Sequence, residues 1–147
     1  PERIQADPGF TQSAQKISEM RKIVQKYKAR SNELVNSMPE RLDKTGFSAS
    51  LKDWLLNGFN QGLTKSLPLL QENWHIEESL VEVTSDILNH MKATRWSVQD
   101  DGQLIFEAQS DADTYNQLMG EMNFMIERQD AINQQSINAT REKMQNL

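Results

Sequence analysis

Apolar residues spaced three and four apart run through most of this chain, a period that suits an amphipathic helix and little else. Ile17, Met20, Val24, Tyr27, Leu34 and Met38 form one such stripe, with Ser31 in the slot between. Leu51, Leu55, Phe59 (or Gly58), Gly62 and Ser66 form a second, and Ile76, Leu80, Val83, Ile87 and Met91 a third. Tyr115, Leu118, Met122, Met125, Gln129 and Ile132 make the fourth. The punctuation agrees with this division. Asp7-Pro8 suits a helix entry, where Asp caps free amides and Pro at the first helical position loses nothing. Pro39 is expected to stop the first helix, and Thr45-Gly46 to mark the connection. Ser50 with Asp53, and Ser110 with Asp113, resemble capping boxes. Pro68 is expected to end or kink the second helix. The pattern predicts a mainly α protein. Its form is an antiparallel bundle of four helices in one domain over residues 1–147, with residues 1–10 as a flexible lead-in.

Between the third and fourth stripes the period changes from 3.6 to 2. Arg95-Trp96-Ser97-Val98 and Leu104-Ile105-Phe106 flank Gln99-Asp100-Asp101-Gly102-Gln103, which predicts a small β-hairpin around residues 95–107. A two-residue Asp101-Gly102 turn would pair Val98 with Ile105 and set Trp96 opposite Glu107. A three-residue Asp100-Asp101-Gly102 loop pairs Val98 with Leu104 and Trp96 with Phe106. The second register is preferred: it puts Trp96, Val98, Leu104 and Phe106 on one face and Gly102 where φ must be positive. A lone hairpin is marginal in water, so that face should lie against the helices.

Composition narrows the chemistry. The 147 residues include no cysteine, which excludes disulfides, thiolate metal sites and a cysteine nucleophile, and leaves the redox compartment open. The longest apolar runs, such as Leu67-Pro68-Leu69-Leu70, are far too short to span a bilayer. The chain opens at Pro1 without an initiator Met. It therefore reads as a processed or trimmed protein, and a targeting segment upstream stays open.

No catalytic constellation is recognisable, so the expectation is a non-enzyme without a cofactor or metal. His75 and His90 are fifteen residues apart and read as surface or helix-end histidines. The alternative is a carboxylate–histidine pair, His90 with Asp86 or His75 with Glu72 or Glu78. No Gly-x-Ser-x-Gly elbow and no glycine-rich phosphate loop occurs. Asp100-Asp101-Gly102 lacks the alternating ligands of a calcium loop. Met119, Met122 and Met125 read as adaptable core, with a thioether metal site as the long shot. Gly58 and Gly62 form a Gly-x-x-x-Gly pair in a polar setting. They read as a close helix contact or, less simply, as a shallow ligand groove.

Charge is segregated. Lys16 to Arg30 carries six basic residues (Lys16, Arg21, Lys22, Lys26, Lys28, Arg30) and one acid, Glu19. Ser66 to Met91 carries no Lys or Arg but has Glu72, Glu77, Glu78, Glu82 and Asp86. The plain reading is two complementary helix faces. The sharper one makes Arg21, Lys22, Lys26 and Lys28 a contact for an anionic lipid surface. Nucleic acid is not expected, given a pI of about 5.1 and Tyr27 as the only aromatic among these bases.

Trp96-x-Val98, the Gly102 turn, Leu104-Ile105-Phe106 and Tyr115-Asn116-x-Leu118 resemble the late region of the uncharacterised, mostly helical YiaF-type lipoproteins of Gram-negative bacteria. The resemblance covers about residues 95–135. It implies a periplasmic protein held by a lipid, with signal and anchoring Cys before Pro1, and it carries no catalytic residue over. Two function classes follow. One is a non-enzymatic envelope protein that binds a protein, lipid or small apolar ligand. The other is a cytoplasmic helical adaptor or regulator, dimeric through its long first and last helices.

Overall fold

The computed structural model describes residues 6, 7 and 9–145, with side chains described up to residue 138 and at 141. The order is α1 (Thr11–Asp43), α2 (Ala49–Ala93), β1 (Trp96–Val98), β2 (Leu104–Phe106) and α3 (Gln109–Gln145). Among the described residues the helices are therefore three, not four. At 45 residues, α2 runs about 67 Å, using a rise of about 1.5 Å per residue.

The missing boundary is Pro68, which lies inside α2. A proline there costs about 3 kcal/mol, because it lacks an amide proton and presses on the carbonyl four residues back. Both ends of that defect, Pro68 and Thr64, are exposed, so the unpaired carbonyl can turn to water. The Thr64 and Ser66 hydroxyls donate to the carbonyls of Asn60 and Gly62, each at 2.9 Å. Half-buried Leu63, Leu67 and Leu70 lie on either side of the proline. Each contributes on the order of 1 kcal/mol, enough together to offset the defect. Pro39 likewise fails to stop α1, which runs four residues further. Its end is closed by the Lys44 amide on the Glu40 carbonyl (3.2 Å) and the Thr45 amide on Leu42 (3.0 Å).

The expected capping boxes are not formed. Ser48, not Ser50, takes the position before α2 and makes no side-chain cap bond. Ser110 and Asp113 lie inside the first turn of α3, where Asp113 accepts from the Gln109 side chain at 2.9 Å. Asp7 does cap α1, from further back: its carboxylate accepts the Ser13 amide (2.8 Å), the Ser13 hydroxyl (2.8 Å) and the Gln12 amide (3.3 Å). Pro8 lies outside the described residues.

Packing follows from two seams on α2. Residues two apart on a helix point about 200° apart. Trp74, Val81 and Leu88 therefore face one way, while Ile76, Val83 and His90 face nearly the opposite way. The first seam meets Phe10, Ile17 and Val24 in the main core cluster. The second faces α3, with Arg128 on Glu72 (2.6 Å) and His90 Nε2 against the Asp111 carbonyl (2.8 Å). These pairings make both neighbours antiparallel to α2. Among the described residues no comparable contact joins α1 to α3, so the helices form a layer with α2 in the middle.

The hairpin has the preferred register: Trp96 opposite Phe106, Ser97 opposite Ile105, and Val98 opposite Leu104. Gln99 donates its amide to the Gln103 carbonyl at 2.9 Å, closing a three-residue loop. Gly102 within it has φ 85°. The four apolar side chains are half-buried and face the helices, while Ser97 and Ile105 are exposed. Trp96 packs on Phe10 with ring centres 5.9 Å apart, and Phe106 on Tyr115 at 5.3 Å. Phe10, given to the lead-in by the sequence pattern, has a buried ring and a left-handed backbone with φ 52°.

Candidate functional site

An apolar cleft lies between the start of α1 and the last turns of α2. It is a cleft of about 550 Å³ whose apolar walls are Phe10, Ile17 and Met20 on one side and Ile87, Leu88 and Met91 on the other. Both walls follow from helical period: Ile17 and Met20 are one turn apart, as are Ile87 and Met91. Phe10 joins them because its left-handed backbone turns the ring back towards the core, a conformation uncommon for a bulky residue. Asp7, Ser13 and Lys16 supply the polar rim. The Ser13 amide holds the Asp7 carboxyl below its ordinary 3.8, against the opposing effect of desolvation. The carboxylate thus stays charged while it secures the helix start.

The apolar character continues outward from the cleft along α1. Met20, Ile23, Tyr27 and Leu34 are between 46% and 54% exposed, on one side of the buried Ile17–Val24 seam. A volume of this size with mostly apolar walls and a few polar groups falls in the range of small-molecule sites. The sequence pattern identified Ile17, Met20, Ile87 and Met91 as stripe residues but not as one cavity. Phe10 was missed, because nothing in its neighbourhood signals a turned-back ring except the preceding Gly9.

A second, more polar groove lies between the same two helices on the other flank, lined by Arg21, Val24, Gln25, His75, Glu78, Ser79, Val81 and Glu82. Here the basic and acidic stretches meet. Lys28 binds Glu78 with Nζ 2.7 Å from Oε2, on half-exposed side chains, a pair worth about 0–1 kcal/mol. Arg21, itself exposed, lines the groove with Glu78 and Glu82, whereas the exposed Lys22 and Lys26 do not line it, Lys26 lying 6.0 Å from the centre of the Tyr27 ring. The four bases singled out for an anionic surface therefore divide. Arg21 and Lys28 lie against α2, and Lys22 and Lys26 face away from it.

His75 and His90 are on different seams and do not meet. His75 is exposed, and His90 packs beside Phe106 with its Nε2 engaged by the Asp111 carbonyl. Among the described residues no group of three His, Asp or Glu side chains converges as metal ligands. Met119, Met122 and Met125 are half-buried on α3. Burial raises the Tyr115 phenol above its ordinary 10.0.

Gly58 and Gly62 are one turn apart on α2. A Cβ added to either would meet nothing within 4 Å, so among the described residues no helix packs closely on them. They line an open hollow of about 470 Å³ with Gln61, Thr64 and Lys65. Among the described residues no helix is long and apolar enough to cross a membrane. Comparison with protein-family models, with curated proteins and with solved structures returns no match to this chain.

Proposed function

We propose that this protein is a non-enzymatic helical binding module that takes a small apolar ligand into the cleft between α1 and α2. The observation that carries this reading is the cleft itself, lined by Phe10, Ile17, Met20, Ile87, Leu88 and Met91 with a smaller set of polar groups from both helices. A ligand with an extended apolar part would lie along Met20, Ile23 and Tyr27, gaining about 25 cal/mol for each Å² of apolar surface it covers. Titration with the neutral fluorescent probe N-phenyl-1-naphthylamine tests it. Binding is expected to be saturable and one-to-one. Met20→Asp, at a half-exposed position, should weaken it roughly tenfold with helicity retained. Absence of saturable binding, or binding indifferent to Met20→Asp, would refute the reading.

The setting we infer is the periplasmic side of a bacterial envelope, with the chain held near the lipid. The resemblance of residues 95–135 to helical lipoproteins supports it, as do the exposed Lys22 and Lys26. Liposomes containing anionic lipid should bind the protein at low salt, and Lys22→Glu with Lys26→Glu should abolish that. Lys28→Glu is the wrong control, because it also breaks the pair with Glu78.

A further inference from the structure

We propose that the first half of α2, from Ala49 to Leu70, is a self-association surface on which a second copy of this chain docks α2 against α2. The inference is independent of the ligand cleft, which lies at the other end of the molecule. Its first ground is area. A folded monomer of this mass exposes roughly 7,700 Å², whereas this 16.9 kDa chain exposes 10808 Å². The excess, about 3,000 Å², is several times the ~800 Å² that each partner buries in a standard interface.

The second ground is where the unburied apolar surface lies. The buried apolar residues are Phe10, Ile17, Val24, Ile76, Val81, Val83, Leu88, Met91 and Ile132. Between residues 25 and 75 no side chain reaches that class. Yet this stretch carries Phe47, Leu51 and Trp54, which are 49%, 39% and 70% exposed. Leu51, Trp54, Leu55, Gly58 and Gly62 follow a 3-4 spacing and share a face of α2.

Charge on this face is sparse: residues 49–70 carry Lys52 and Lys65 against Asp53, so a second copy meets little net repulsion. What selects the occupant is that the face matches itself. Trp54 protrudes one turn before the hollow at Gly58 and Gly62. A two-fold axis at residue 58 of an antiparallel crossing sets Trp54 of each copy over Gly62 of the other. This is the isologous arrangement of closed dimers, with the largest exposed aromatic at its centre.

Sedimentation equilibrium of the whole chain tests this. The expected mass is twice the 16.9 kDa of one chain. Trp54→Ala should raise the dissociation constant roughly thirtyfold or more. Gly62→Leu separates an interface from a folding defect. In the single chain its side chain enters open space and replaces a poor helix former, so the melting temperature of the monomer should not fall. In the dimer it displaces Trp54, so the mass should drop to that of one chain. A monomer at 100 µM would overturn the proposal, and so would a dimer that neither variant weakens. Vesicle binding through Trp54 without dimerisation would overturn it as well.

Discussion

Trp96 donates its indole N–H to the backbone carbonyl of Met91 at 2.8 Å, tying the β-hairpin to the last turn of α2. The carbonyl is one of those that a helix end leaves without an internal partner. The same ring rests on Phe10, so a single side chain joins the hairpin, α2 and the entry to α1. Trp96→Phe keeps most of the apolar area and loses the hydrogen bond, which should cost about 1 kcal/mol in urea unfolding. Trp96→Ala should cost about 3–5 kcal/mol. If the two variants are equally stable, the ring does not hold these elements together.

Gly102 closes the hairpin at φ 85°, where its amide donates to the Gln99 carbonyl at 2.9 Å. An L side chain in this region pays about 1–2 kcal/mol. Gly102→Ala should therefore destabilise by about that amount, and Gly102→Asn by less, because Asn tolerates the left-handed region better. Thermal unfolding of the two variants side by side measures the order.

Among the described residues the buried Trp74 indole nitrogen has no hydrogen-bond partner, although its ring packs on the α1–α2 core. A buried donor left unpaired costs about 1–3 kcal/mol. Trp74→Phe should leave stability unchanged or raise it, while Trp74→Ala should lower it by about 3 kcal/mol or more. A large loss in the Phe variant would mean that the nitrogen finds a partner in solution.

Asp7 sets an acid limit on the start of α1. Its folded value is lowered below 3.8, chiefly by the Ser13 amide. The carboxylate therefore contributes stability above its unfolded value, and this is lost as pH falls from about 4 through the folded value. The protection factors of the Gln12 and Ser13 amides, taken against their intrinsic exchange rates, should fall in that window, and in Asp7→Asn that fall should be absent. Protection that is unchanged by both pH and the substitution would show that the cap is not formed.

Much of the fold was legible along the chain. The seam residues Ile17, Val24, Ile76, Val83, Met91 and Ile132 are buried as their spacing requires. The hairpin register could be chosen because only one alignment puts Trp96, Val98, Leu104 and Phe106 on a common face with Gly102 in the loop. What misled was local punctuation. Pro39 read as a stop, and Pro68 as an end or a kink, because proline is costly in isolation. The capping pairs at Ser50 and Ser110 read as starts because the spacing is right. The cleft was not legible, since its walls come from Phe10, the Ile17 turn and the end of α2, distant positions that no periodicity relates.

The sequence by itself determined which segments are helical, where the period changes to 2, and which side of each helix is apolar. Those properties depend on side-chain order within a few turns. Tertiary structure alone decided that α2 passes unbroken through Pro68, because half-buried leucines on either side outweigh one lost hydrogen bond whose carbonyl reaches water. It also decided that α1 and α3 flank α2 in a layer and that, among the described residues, Trp54 stays exposed and nothing fills the Gly58–Gly62 hollow. That outcome turns on which residues distant in the chain meet across helices, which no local pattern records.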